Sequence, residues 1–253
     1  MADSETKEIL RYNNYKVNLG EVWAIIPARG GSKGLSHKNI RLLCGRPLIA
    51  HTISAACHCN EVSRCIVSTD DENIADISRE LGAEILMRPP ELATDTASSS
   101  SVVRHLLETY ASDYGLPEFF ILLQPTSPLR TAEHIRCCLK EFLDSDCSCA
   151  ISVTEMEHHP FKAFVMENKA IRPLYSVDML EKPRQILPRI YRQNGAIYIM
   201  NSLVFLENNS FFTEPAYSYV MSQEESVDID NELDLAIAEF LMEKLKNCRA
   251  GLT

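Results

Sequence analysis

Two carboxylates set two residues apart, in Val227-Asp228-Ile229-Asp230, are the first candidates for chemistry in this 253-residue chain. In an extended segment, residues i and i+2 face the same way. Asp228 and Asp230 can therefore share one hard cation. Mg2+ suits such a pair, because it takes one or two carboxylates and fills its shell with phosphate oxygens and water. A structural role fits the same residues: Asp230 or Asn231 can cap a following helix, with Asp228 solvated.

Four further segments carry charge or polarity in chemically suggestive patterns. Pro27-Ala28-Arg29-Gly30-Gly31-Ser32-Lys33-Gly34 joins three glycines to two cations. Glycine lets backbone N–H groups approach a phosphate closely, and Arg29, Lys33 and nearby Lys38 supply charge. The loop is not a P-loop, since Leu35 stands where the second glycine of G-x-x-x-x-G-K-[ST] belongs; a plain glycine turn is the competing reading. In Arg88 to Ser101, RPPELATDTASSSS, the hydroxyls suit a helix cap, while Arg88 and one serine can read the edge of a base. Gln124-Pro125-Thr126-Ser127-Pro128-Leu129-Arg130 follows the apolar run FFILL, so Gln124 falls at a strand end and two prolines fix the loop. Lys182, Arg184, Arg189 and Arg192 form a basic stretch, which is either a solvated face or a bidentate anion clamp. His158-His159 has no further His or Cys beside it and reads as structural.

Positioning these loops is the task of alternating elements. Val22–Pro27 reads as a buried strand that runs into the glycine loop, and a helix follows from Pro47. Strands are expected over 64–68, 84–87, 119–123, 149–154 and 195–200. Helices fall between them, with Asp70 and Asp71 at a helix start, further helices over 96–111 and 131–143, and a closing helix over 231–247 whose apolar residues are Leu233, Ile237, Phe240, Leu241 and Leu245. Such alternation predicts an α/β fold, a mainly parallel sheet with helices on both faces. Ligands then bind beyond the C-terminal ends of the strands. Residues 1–20 read as a polar, flexible extension and 248–253 as a tail. Four prolines and no clean period over 155–193 suggest an inserted lobe within a domain spanning 21–247.

Lys plus Arg total 25 against 35 Asp plus Glu, a net charge of −10 that gives no prior for a nucleic-acid partner. No apolar run approaches a membrane span and no secretory signal is visible, so the expectation is a cytoplasmic protein. Nine cysteines without C-x-x-C spacing fit free thiols in a reducing compartment better than a metal site.

Taken together, IPARGGSKG with Lys38-Asn39, then STDD, RPPELATDTAS, QPTSPLR, RQNGAIYI and VDID resemble, in order and over residues 25–230, the acylneuraminate cytidylyltransferase family. The 3-deoxy-manno-octulosonate cytidylyltransferases are less similar. The resemblance implies a Rossmann-like nucleotidyltransferase fold whose small lobe exchanges contacts with a second subunit in a homodimer. It also implies transfer of CMP from CTP to the anomeric 2-hydroxyl of an acidic nine-carbon sugar, with release of pyrophosphate and with Mg2+ as cofactor. By similarity, Arg29, Gly31, Ser32, Lys33, Lys38 and Asn39 surround the phosphates and ribose, and Arg88 and Ser99 lie by the cytosine. Gln124, Lys162, Arg184, Arg192, Tyr198, Phe211 and Phe212 match the sugar pocket, some reaching in from the partner subunit, though core packing is the competing reading for the Phe pair. Asp228 and Asp230 match the metal carboxylates. The catalytic set is Arg29, Lys33, Asp228 and Asp230. Two rivals stay open at this point: activation of another sugar acid, and a non-catalytic nucleotide-sensing module.

Overall fold

The computed structural model describes the backbone of residues 9–12, 15–31 and 34–250. Its central sheet takes in β1 (Ile9–Tyr12), β2 (Tyr15–Pro27), β5 (Arg64–Thr69), β6 (Glu84–Met87), β7 (Leu116–Leu122), β8 (Cys149–Glu155), β11 (Tyr191–Asn201) and β12 (Tyr217–Val220). The order across it is β12-β8-β11-β7-β2-β5-β6, with β1 paired to β2. β2, β5, β6 and β7 pair in parallel, as do β8 and β12, while β11 runs against both β7 and β8. The reversed β11 brings its first residues to the edge of the sheet where the parallel strands end.

Period-two alternation along β2 assigns its residues to two cores. Ala24 and Ile26 face α1 (Leu48–Cys57), α2 (Glu72–Glu80) and α4 (Ala132–Leu143). Trp23 and Ile25 face α3 (Ser99–Tyr114) and α6 (Ser202–Asn208). The helices begin where their capping residues lie: Asp71 accepts from Asn73 and Ile74, Ser98 from Ser101, and Thr131 forms a reciprocal box with His134. A hairpin of β3 (Leu42–Leu43) and β4 (Arg46–Pro47) and the closing α7 (Glu232–Ala250) enclose a third core around Leu35, Leu48 and Ile229. Between β8 and β11 a lobe protrudes, built from the antiparallel pair β9 (Phe164–Glu167) and β10 (Ala170–Pro173) and the short α5 (Val177–Glu181).

Three expectations change. Residues 9–12 and 15–20 are not a loose lead-in: β1 pairs with β2, which begins at Tyr15 and continues the sheet, with Val17 buried and Asn18 bonded to Glu21 and to the Tyr114 carbonyl. The closing helix continues through residues 248–250 instead of giving way to a tail there, and it turns a different stripe inward from the one its sequence predicts. Leu235, Ala238 and Met242 are buried, while Leu233, Ile237 and Phe240 are exposed. Finally, α3 starts at Ser99 rather than near Thr96, because Ser98 is the cap.

Candidate active site

The loops after β2, β5, β6 and β7 converge, as parallel strands require, and meet the 227–230 segment around an open cavity of about 400 Å3. Arg29, Lys38, Asn39, Arg88, Ser99, Gln124, Asp228 and Asp230 all line it. These eight come from six separate stretches of sequence, so their convergence is a product of the fold.

The glycine loop is fixed by close backbone approach. Gly30 donates to Asp70 (3.0 Å), and a Cβ at Gly30 would sit 2.7 Å from the Asp71 carboxylate. A Cβ at Gly34 would lie 2.3 Å from the Asp230 carbonyl oxygen, so this loop and the carboxylate segment touch through bare backbone. Asn39 is buried and donates to the Arg29 carbonyl at 2.9 Å. Lys38 clamps the same contact, donating from Nζ to the Ile229 carbonyl and to Asp230 Oδ1, each at 2.9 Å. Gly31 is exposed in the loop, whereas Ser32 and Lys33 lie outside the described residues.

Charge is divided across the cavity. Arg29 pairs with Asp95 Oδ1 at 2.7 Å and donates to the Thr94 carbonyl. Arg88 is 8% exposed and donates to the Ser68 and Leu92 carbonyls. Burial pulls its guanidinium below the usual arginine range, against the opposing pull of Asp70. Asp228 opens on the cleft, and the protein packed round the rest of it lifts its carboxyl above the usual range. Asp230 adds to that lift, and a hydrogen bond with Thr126 and the charges of Lys38 and Arg192 oppose it. Among the described residues no three His, Cys, Asp or Glu side chains cluster as ligands. Asp228 and Asp230, both on the cavity wall, form an all-oxygen donor set, which fits a hard cation completed by water and phosphate.

The remaining predicted residues are distributed differently. Tyr198 is 8% exposed on β11, with burial and then Asp228 raising its hydroxyl pKa. Phe211 stacks on Phe205 at 5.1 Å and meets Phe120 and Tyr198, which makes it a core residue. Phe212 is exposed and lines a separate apolar cavity with Ile151, Val153 and Gln193. Lys162 donates to the Leu180 and Lys182 carbonyls inside the lobe, and Arg184 sits in an exposed turn of it. Neither lines this chain's cavity. Arg192, exposed at the start of β11, reaches the site electrostatically through Asp228. His159 caps a turn and bonds the Pro188 carbonyl, the structural role its sequence suggested.

Sequence reasoning missed Asp95, Thr94 and Thr126 as site residues. Thr126 lies inside a motif already singled out, but nothing in the spacing marks Asp95 as the partner of Arg29. Behind the cavity, buried Asn194 ties three segments together. Its carboxamide accepts from Ser152 Oγ (2.6 Å) and donates to Ser226 Oγ (2.9 Å), and its carbonyl accepts from Ser127 Oγ (3.3 Å).

Comparison with known proteins adds to this geometry. Residues 23–246 match the family model described as cytidylyltransferase. An N-acylneuraminate cytidylyltransferase of Streptococcus agalactiae is 40% identical over 83% of this chain and 50% of its own length. A CMP-N,N'-diacetyllegionaminic acid synthase of Legionella pneumophila is 37% identical, covering 88% of this chain and 96% of its own. A pseudaminic acid cytidylyltransferase of Campylobacter jejuni is 29% identical over 86% and 94%. The chain thus spans about half the length of the streptococcal relative and nearly all of the other two. A solved CMP:2-keto-3-deoxy-manno-octonic acid synthetase complexed with CTP superposes with a TM-score of 0.65 at 21% identity, over 88% of this chain and 99% of its own, which shows the shared fold.

Proposed function

Because the chain belongs to the cytidylyltransferase family, we propose that it transfers CMP from CTP to the anomeric 2-hydroxyl of a nonulosonic acid, releasing pyrophosphate. The observation that carries this reading is the cavity itself, which Arg29, Lys38 and Arg88 line together with Asp228 and Asp230. The names of the relatives supply the sugar class, N-acylneuraminic, diacetyllegionaminic or pseudaminic acid.

In this reading Arg88 and Ser99 hold the base, and the glycine loop with Arg29 and Lys38 holds the triphosphate. The sugar oxygen attacks the α-phosphorus, the bond to the β-phosphate oxygen breaks, and pyrophosphate leaves. The hydroxyl proton is lost to solvent through the open mouth. Asp228 and Asp230 would hold Mg2+, which when bound offsets charge on the transferring and leaving oxygens. Arg29 stabilises the same charge and orients it, held at a fixed angle by Asp95. Gln124 fixes the sugar.

We assign a dimer to the working enzyme. Phe164, Met166, Ile171, Leu174, Val177 and Ile186 are exposed on the lobe, which suits a surface that a second copy covers. Lys162 and Arg184 then have a site to serve, the partner's. Among the described residues no helix is long and apolar enough to cross a membrane, and eight described cysteines are free, which supports a reducing cytoplasm.

Asp230→Ala tests the assignment. Turnover is expected to fall about 10^3-fold, the order for losing one strong electrostatic contact to the transition state. CTP binding measured without metal should persist. Turnover at the original rate in that variant would remove the metal assignment.

A further inference from the structure

Ile229 sits between the two carboxylates of the site, and the chain pins it on three sides. Its side chain is fully buried in the third core, with Leu35, Leu43 and Leu48. Its N–H donates to the Thr126 carbonyl at 2.9 Å. Its own carbonyl accepts from Lys38 Nζ, also at 2.9 Å. The same two residues reach the flanking carboxylates. Lys38 donates to Asp230 Oδ1, and the Thr126 side chain hydrogen-bonds Asp228. Each partner thus grips the segment twice, once through the backbone of Ile229 and once through an acidic side chain.

The two grips differ in chemistry. Lys38 brings a charge, whereas Thr126, half-buried in the loop after β7, brings a neutral hydroxyl. An ionised carboxylate only accepts, so the hydroxyl is the donor, and the carboxylate keeps its other lone pairs for a cation. A hydroxyl therefore fixes Asp228 without cancelling its charge. Thr126 is itself well placed to hold something still. Pro125 and Pro128 constrain its loop, and Ser127 ties that loop to the Asn194 carbonyl. Gln124, Thr126, Asp228 and Asp230 all line the one cavity, so the loop that offers the sugar contact also holds a carboxylate of the cation site.

We propose that Thr126 is a positioning residue, whose hydroxyl turns the Asp228 carboxylate toward the cation site. The inference rests on the metal reading of Asp228 and Asp230 given above. Hydrogen bonds that orient a metal ligand from outside typically change metal affinity by about 10- to 100-fold when removed. The competing role is a backbone one, with Thr126 only an acceptor for Ile229 and its side chain idle. Only the first role needs the hydroxyl.

Thr126→Val separates the two roles, because valine keeps the β-branched shape and the backbone carbonyl and loses the hydroxyl. Thr126→Ser keeps the hydroxyl. Binding of Mn2+ alone, followed by loss of the free-ion EPR signal, needs neither CTP nor turnover. Thr126→Val should weaken it about tenfold, and Thr126→Ser should bind near the parent value. Melting temperatures of both should stay close to the parent's. In an Asp228→Asn background the valine change should have no further effect on Mn2+ binding, since the hydroxyl acts through Asp228. In pyrophosphate release, Thr126→Val should lower kcat and leave KM for CTP near its original value. Parent-like Mn2+ affinity in folded Thr126→Val, or a loss in Thr126→Ser as large as in Thr126→Val, would overturn the positioning role. Mn2+ binding that Asp228→Asn leaves unchanged would remove the metal reading and the proposal with it. The expected Mn2+ pattern in a protein that releases no pyrophosphate with any sugar would support the positioning role and count against the proposed reaction alone.

Discussion

Burial, and then Asp230, raise the carboxyl pKa of Asp228 above its usual range, so its charged form is less favoured in the folded chain than in the unfolded one. The sign of the linkage follows. The stability this group contributes is present below the carboxyl value of the unfolded chain, and is lost as pH rises through the higher folded value. At neutral pH Asp228 therefore costs stability in the ligand-free protein. Asp228→Asn is expected to raise the melting temperature there while abolishing turnover, and to flatten the decline of stability with rising pH; thermal melts across pH 4–8 check both. A variant that melts lower than the parent at neutral pH would contradict this account. The thiols are similarly differentiated. A hydrogen bond with Cys65 draws exposed Cys57 down to about 7, burial raises Cys59 to about 12, and buried Cys65 is held well above its usual value by its bond to Cys57. Iodoacetamide near pH 8 should modify Cys57 before Cys59, Cys65 or Cys138, as peptide mapping would show.

At the scale of elements, β11 carries more of the site than its own side chains show. Gly195 has φ +76°, and a Cβ there would meet Gln124 Oε1 at 2.7 Å and Ser127 Oγ at 3.2 Å. Gly195→Ala should therefore raise KM for the sugar and leave CTP affinity near its original value, a split that kinetics with each substrate varied in turn would reveal. Asn194→Ala should destabilise the fold by about 2–3 kcal/mol in urea unfolding, because it strands buried Ser152 and Ser226 hydroxyls. Much at this scale was legible in the sequence, for a physical reason. Parallel strands buried on both faces read as apolar runs, and a strand's end must be a turn, so PARGGSKG and QPTSPLR announce themselves as strand-end loops. The start of β2 was not legible, because Lys16, Asn18 and Glu21 give it a polar composition and the polar group of Asn18 is satisfied only in the fold, partly by a carbonyl 96 residues away. The Arg29–Asp95 pair was hidden likewise, since only the adjacency of strand ends brings 29 to 95. On α7 the apolar residues outnumber the buried face, so composition alone cannot say which stripe turns inward.

At the scale of the molecule, the proposed dimer rests on the lobe's exposed apolar residues and on Lys162 and Arg184 not lining this chain's cavity. Met166→Glu with Ile171→Glu should convert a dimer into a monomer by light scattering, with turnover falling in parallel. The proposed Mg2+ predicts that EDTA stops turnover and that excess Mg2+ restores it, as pyrophosphate release would show. The central claim is nucleotidyl transfer to a nine-carbon acid. Its most direct test is pyrophosphate release from CTP with Mg2+ against N-acetylneuraminic, legionaminic, pseudaminic and 3-deoxy-manno-octulosonic acids and a blank without sugar. Release with one of the three nonulosonic acids, and with neither the octulosonic acid nor the blank, is the predicted result. Release with the octulosonic acid alone, or with no sugar by folded protein that binds CTP, would contradict it.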